Sequence, residues 1–137
     1  MLTLPEKIRI FVWRAAKNIL PSAENLWKRK IIREPLCQLC KNGMETIFHA
    51  LVSCKATKKI WKTTRFAEDL KGSSDQDVLS FLLVLNSKRS KADMELLVVI
   101  LWMTWNARNR WLFKGKKDIP QILVSKAEAV MEAYQRT

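Results

Sequence analysis

The spacing of apolar residues predicts helices along most of the chain. In the first segment these residues recur on one helical face, at Ile8, Phe11, Val12, Ala15, Ala16 and Ile19. Trp13 is expected to widen this face. Pro21 ends the helix, and Ser22 is a candidate N-cap for a short second helix that carries Trp27 and finishes in a run of three cations.

The second half of the chain is more apolar and predicts further helices. One of them contains Val78, Leu79, Phe81, Leu82 and Leu85. Ser90 can cap the next, which is apolar almost all round from Leu96 to Trp105 and should end at Gly115. Because a membrane span takes about 20 apolar residues, we expect a central core helix and no membrane association. A last helix should pack on it through Ile122, Leu123, Ala127, Val130 and Tyr134.

All three cysteines and the only histidine lie within one short stretch, in the spacing C-x2-C-x8-H-x4-C. We predict that Cys37, Cys40, His49 and Cys54 bind Zn2+ in a small CCHC knuckle. Three thiolates and one imidazole are the ligands of a closed, tetrahedral structural site, whereas a catalytic zinc keeps one position for water. With only 3 glycines and 4 prolines in the chain, the fold class we predict is all-α, a domain of about six or seven helices.

The second ligand pair requires an interrupted helix. On one continuous helix through this region, the side chains of residues 49 and 54 would point roughly 140° apart, so the helix must break before Cys54. Ser53 is a candidate N-cap for the helix that follows, which would place the Cys54 thiolate at a positive helix terminus. Glu45 is expected to begin the first helix or to contact the ligand imidazole.

Residues outside the metal cluster form no recognisable catalytic set. There is no second histidine, no cysteine outside the cluster, no P-loop glycine pattern and no two-metal group of carboxylates. We therefore expect that the protein is not an enzyme. Three cysteines in a metal site, without a secretory leader, indicate an intracellular protein of the nucleus or cytoplasm that is not secreted.

The net charge of +12 is concentrated in the N-terminal half. Residues 1–67 carry 14 Lys and Arg against 4 Asp and Glu, whereas residues 68–137 carry 11 against 9. The polar segment 68–74 is the candidate linker between a basic zinc-binding module, residues 1–67, and a hydrophobic helical region, residues 75–137, that packs on it. A basic field attracts polyanions, although a solvated surface without a ligand would have the same composition.

The N-terminal pattern resembles a known family over about residues 2–66. It consists of Leu4-Pro-x-Lys7-Ile-x-x-Phe11-x-Trp13-Arg14, Leu20-Pro21, Asn25-Leu26, Arg29, Cys37-x2-Cys40, Glu45-Thr46-x2-His49-x4-Cys54 and Trp61. This ordered set is similar to the zinc-binding domain that follows the reverse transcriptase in plant non-LTR (LINE-type) retrotransposons. The resemblance implies the same four zinc ligands, core positions for Phe11, Trp13 and Trp61, and contact with element RNA or target DNA.

A second segment is similar to the same elements. It reads Leu101-Trp102-x2-Trp105-Asn-Ala-Arg108-Asn109-x2-Leu-Phe113-x-Gly115 and resembles the region between the zinc domain and a following RNase H domain. The sequence starts just before the family's first helix and carries neither polymerase nor RNase H carboxylates. We therefore expect a truncated or domesticated piece of such an element.

These patterns predict a non-enzymatic module that binds RNA or DNA through its basic half. The candidate contacts are Arg9, Arg14, Lys17, Trp27, Lys28, Arg29, Lys30, Lys58, Lys59 and Lys62. Trp27 and Trp111 lie close to cations in the sequence, and this mixture of aromatic and basic residues suits single-stranded nucleic acid, but protein interfaces are also rich in tryptophan. The alternatives are a protein-interaction adaptor that uses Trp102, Trp105, Trp111 and the last helix, or a folded fragment with no selected role.

Overall fold

The computed structural model describes residues 4–71 and 75–135. Within these ranges the chain forms seven α-helices and one π-helical turn, and its only β pairing is an isolated bridge between Leu36 and Met44. The prediction of an all-α fold is confirmed. The elements are α1 Glu6–Ala16, α2 Ala23–Lys28, the π-helical turn His49–Ser53, α3 Lys55–Trp61, α4 Ala67–Leu70, α5 Val78–Asn86, α6 Lys91–Lys114 and α7 Pro120–Gln135.

Three of the predicted caps are confirmed, two serines at helix starts and one glycine at a helix end. The hydroxyl oxygen of Ser22 accepts a hydrogen bond from the Asn25 N–H (3.2 Å) and that of Ser90 accepts from the Asp93 N–H (3.1 Å), at the starts of α2 and α6. Gly115 ends α6 in the left-handed conformation, with φ of 66°. Because a side chain with a Cβ rarely adopts this conformation, glycine makes the stop favourable.

The long helix α6 is the centre of the fold. Helices α1, α5 and α7 and the π-helical turn all pack against it, and every residue from Met94 to Leu101 is buried. A single hydrophobic cluster extends from Leu4 to Met131. None of the helices in the described ranges is long and apolar enough to cross a membrane.

The predicted division at residues 68–74 stays a prediction. Its first part lies in the short helix α4, and residues 72–74 lie outside the described ranges. The hydrophobic cluster draws on residues from both sides of this segment.

The buried face of α1 is narrower than the sequence predicted. Ile8, Phe11 and Ala15 are buried, but Trp13 is 57% exposed and Ile19 is also exposed. Residue 13 follows Phe11 by two positions, about 200° of rotation, so its side chain is directed away from the core. The expectation that Trp13 is a core aromatic is therefore wrong, whereas Phe11 and Trp61 are buried as expected.

The buried face of α7 is also rotated from the predicted one. Ile122 and Tyr134 are exposed. The buried positions of the helix are Leu123, Val124, Ala127 and Met131. These positions follow the i, i+4 spacing of a single helical stripe that faces α6 and α3.

Candidate metal centre

The knuckle that carries Cys37 and Cys40 is a tight backbone loop. The Cys37 N–H donates to the carbonyl of Gly43 (2.9 Å), which closes the loop. Gly43 has a φ of 110°, which lets the chain turn back sharply. The N–H of Asn42 then donates to the sulfur of Cys40 (3.4 Å), so a backbone amide faces a ligand sulfur as the sequence predicted.

The π-helical turn brings His49 and Cys54 to the same side. The hydroxyl oxygen of Thr46 accepts from the His49 N–H (2.9 Å), and the Cys54 N–H donates to the His49 carbonyl five residues back (2.8 Å). Cys54 then leaves the helical conformation, with ψ of 139°. The predicted break is confirmed, but Cys54 itself, rather than Ser53, is the N-cap residue of α3.

The four candidate ligand atoms form a compact cluster. The Sγ atoms of Cys37 and Cys54 are 3.8 Å apart, and Cys40 Sγ is 3.4 Å from His49 Nε2. All four atoms lie within 4.8 Å of one another. Because Zn–S bonds are about 2.3 Å long, a tetrahedral zinc ion places its sulfur ligands about 3.8 Å apart. The cluster therefore has the size and the donor set of a closed zinc site.

Hydrogen bonds within the cluster set the protonation of its members. A hydrogen bond with Cys54, together with burial, raises the pKa of Cys37 to about 11. The same contact lowers the pKa of Cys54, which also accepts hydrogen bonds from backbone N–H groups at the start of α3. A hydrogen bond to Cys37 outweighs the effect of burial and raises the pKa of His49 to about 9.

Zinc binding is expected to release protons at neutral pH. When the cluster is folded without a metal ion, Cys37 and His49 carry protons at pH 7, because their pKa values of about 11 and about 9 lie above it, and zinc binds only the deprotonated ligands. The apparent affinity for zinc should therefore rise as the pH increases from about 7 to about 9. Calorimetric titrations in buffers of different ionisation enthalpy would count the protons, and an affinity independent of pH would contradict the prediction.

Glu45 has a role that differs from both predicted ones. Its side chain, 1% exposed, accepts from the N–H of Ala23 (2.8 Å) at the start of α2. It also forms a bidentate ion pair with Arg108 of α6, in which Nε is 3.0 Å from Oε2. Arg108 is 6% exposed and lies over the ring of Trp105, 4.5 Å from its centre. The Glu45 carboxylate therefore joins α2 to α6 instead of beginning the helix or contacting His49, and Arg108 supplies the counter-charge that a buried carboxylate needs.

The predicted nucleic-acid contacts all lie on the protein surface. They are distributed over α1, α3, the end of α2 and the residues that follow these helices: Arg9, Arg14, Lys17, Trp27, Lys28, Arg29, Lys30, Lys58, Lys59 and Lys62. Among the described residues, Lys28 alone of the cations in this set has an acidic partner, Glu24 at 3.8 Å. Their contact with nucleic acid stays a prediction.

The tryptophans considered for an adaptor surface differ in how far they are exposed. Trp105 is buried, and Trp102 and Trp111 are half-buried in the described structure. The ammonium of Lys7 lies over the ring of Trp102, 5.1 Å from its centre, and so links α1 to α6. Because Trp105 is buried, it cannot contribute to a protein-binding surface.

Comparison with known proteins agrees with the zinc assignment. Residues 1–61 match the family described as zinc-binding in reverse transcriptase. Over 109 residues the chain is 25% identical to a putative ribonuclease H protein of Arabidopsis thaliana, and the match covers 77% of this chain. It covers 18% of that protein, so the chain spans less than a fifth of the length of this relative. No solved structure matches the chain.

Proposed function

We propose that this protein is a non-enzymatic module of retrotransposon origin, because residues 1–61 match the family described as zinc-binding in reverse transcriptase. In this proposal zinc stabilises the module, and the basic surface of its N-terminal half binds RNA or DNA. The similarity to a putative ribonuclease H protein supports an association with nucleic acid.

The distribution of surface charge carries the proposal. All 14 Lys and Arg side chains of residues 4–67 are exposed. Of the four acidic residues in this range, Glu45 is buried against Arg108, and Glu24 forms an ion pair with Lys28. The surface of the module therefore has a large excess of cations. Such a surface attracts the phosphate backbone, and binding gains free energy from the release of counterions.

The donor set of the metal centre supports a non-enzymatic role. Three thiolates and an imidazole complete a tetrahedral shell, so a bound zinc ion has no coordination position for a reacting water. The cluster uses the only histidine of the chain. Since free thiols persist in a reducing environment, we also propose that the protein works inside the cell, in the nucleus or the cytoplasm.

Reversing the charge of Lys28, Arg29 and Lys30 to glutamate is expected to abolish binding to single-stranded RNA or DNA. Labelled oligonucleotides and fluorescence anisotropy would measure the affinity between about 50 and 200 mM salt. A milder variant with glutamine at the same positions should lower the slope of log affinity against log salt by roughly two, because each phosphate contact contributes about 0.7 for a single strand.

A matched control reverses three exposed cations of the second half, Lys71, Lys88 and Lys91. The net charge changes equally, so a similar loss of affinity would show that total charge, rather than the N-terminal surface, determines binding. The proposal would also fail if the wild-type protein bound neither RNA nor DNA at low salt, or bound them with no dependence on salt.

An exposed apolar surface on α5 favours a second candidate, a protein-interaction adaptor. Leu79, Leu83 and Val84 are 46%, 61% and 52% exposed, and Leu79 and Leu83 lie one turn apart on the same face. Contiguous exposed apolar groups of this kind are typical of protein-binding sites. The same charge reversal distinguishes the two candidates, because glutamates at residues 28–30 would leave binding of a protein partner at α5 intact.

A further inference from the structure

A groove of about 520 Å³ lies between the metal centre and the C-terminal helices. Cys40 of the knuckle, Lys55 and Lys59 of α3, Trp111 of α6 and Lys117 of the α6–α7 connection all line it. Its volume is in the range of small-ligand sites in proteins. The groove is therefore large enough to hold one ligand of moderate size beside an aromatic ring.

The groove has an excess of positive charge. Its arginine, Arg108, is neutralised by Glu45, and its carboxylate, Asp118, is neutralised by Arg110. Among the described residues, the three lysines of the groove have no acidic partner. With zinc bound, the three thiolates and the divalent ion together carry one net negative charge. The three lysines carry three positive charges, so the positive charge is in excess. The groove is therefore suited to an anionic ligand.

An aromatic ring lies within reach of these cations. The ammonium of Lys117 is 4.6 Å from the centre of the Trp111 ring. A cation–π contact at an accessible site is weaker than the stacking of a base on an aromatic side chain. A base can therefore replace the ammonium on the ring, and the released ammonium can pair with a phosphate.

We propose that this groove binds one unpaired nucleotide of a single strand, with its base stacked on Trp111 and its phosphate held by Lys55, Lys59 and Lys117. The inference rests on the proposed nucleic-acid function and gives it a site and a strand preference. Bases in a duplex are stacked on their neighbours and cannot reach the indole without being extruded. The groove would thus favour single-stranded over double-stranded nucleic acid.

The test compares two labelled oligonucleotides with the same number of phosphates, a thymidine oligomer and an abasic strand, on the full zinc-bound chain. Trp111→Ala is expected to weaken binding of the thymidine oligomer by about five- to a hundredfold and to leave abasic binding unchanged. Trp111→Phe, which keeps an aromatic ring, should restore most of the affinity. Trp13→Ala, at an exposed tryptophan outside the groove, is the matched control and should change neither affinity.

A charge variant tests the phosphate half of the proposal. Lys55→Gln combined with Lys117→Gln should weaken binding of both strands equally and reduce the salt slope by roughly 1.4. The same replacements at Lys88 and Lys91, exposed and outside the groove, should have little effect. Equal losses in the two double variants would overturn the assignment of these lysines.

A measurement on the wild-type protein gives a test that does not depend on whether a variant folds. The six indole N–H groups can be followed by 15N NMR during titration with the thymidine oligomer, and the Trp111 signal should shift most. If the wild-type protein binds in a salt-dependent way but Trp111 does not shift and Trp111→Ala binds normally, the groove proposal is overturned and the proposed function stands. If the wild-type protein binds neither strand, the proposed function itself fails. Equal weakening of both strands by Trp111→Ala would also overturn base stacking.

Discussion

Replacing Cys40 with serine is expected to abolish stoichiometric zinc binding and to unfold the region from residue 35 to residue 61. Structural zinc contributes on the order of 10 kcal/mol to folding in small modules, more than the whole stability of many domains. Cys40 is the suitable position because it is half-buried, whereas Cys37 and Cys54 are fully buried and their replacement would also disturb packing.

The local structure explains why the metal matters so much here. Residues 29–34 are exposed, and residues 29–46 have no regular secondary structure beyond the bridge of Leu36 and Met44. A few backbone hydrogen bonds hold it, among them that from Glu45 N–H to the Pro35 carbonyl (2.8 Å). Such bonds contribute only about 1 kcal/mol each, so they cannot offset the conformational entropy of ordering this segment.

Bound zinc, near-UV circular dichroism and protease resistance would test this prediction together. Gln38→Ser is the matched control, since residue 38 is an exposed knuckle position whose side chain is not a ligand. The control should keep its zinc and its protease resistance. Retention of one zinc ion per chain and an unchanged spectrum in Cys40→Ser would show that the metal does not stabilise this region.

Replacing Glu45 with glutamine is expected to lower the free energy of unfolding by about 3–5 kcal/mol, because it leaves Arg108 buried without a counter-charge. For a chain of this length the midpoint of thermal unfolding should fall by roughly 10–15 °C. The size of the effect follows from burial, since the Glu45 and Arg108 side chains are only 1% and 5% exposed.

The control for Glu45→Gln is Glu24→Gln, which removes a surface ion pair with Lys28. That pair is separated by 3.8 Å and its lysine is 58% exposed, so the cost should be below about 1 kcal/mol. The double variant with methionine at residues 45 and 108 should recover much of the lost stability, since apolar replacement of a buried pair is often neutral. Urea unfolding would measure all three variants, and a loss in Glu45→Gln no larger than in Glu24→Gln would contradict the prediction.

Features that depend on neighbouring residues in the chain could be predicted from the sequence, whereas contacts between residues far apart in the chain could not. The four metal-binding candidates were found because rare residue types occur together, and the break before Cys54 followed from helix geometry alone. Ser22, Ser90 and Gly115 have their predicted capping roles because caps depend on nearby backbone groups. Trp13 was placed wrongly because hydrophobicity does not tell which flank of a helix meets the core.

The pair of Glu45 and Arg108 had no signal in the sequence. Its members are 63 positions apart, and no spacing rule links a carboxylate in a loop to a guanidinium near the end of a long helix. The groove beside Trp111 was missed for the same reason, since α3 and the α6–α7 connection line it together. Only Lys59 of its three lysines was among the predicted contacts.

The same ion pair has a consequence for the order of folding during synthesis. At roughly 5–20 residues per second, the ribosome needs about 3–13 seconds to add the 63 residues that separate Glu45 from Arg108. The four metal-binding residues are all translated early in that interval. Glu45 still lacks its counter-charge, and the apolar faces of α1, α5 and the π-helical turn that contact α6 are still uncovered. Metal capture can therefore come early, whereas closure of the core around Glu45 must wait until α6 has left the ribosome.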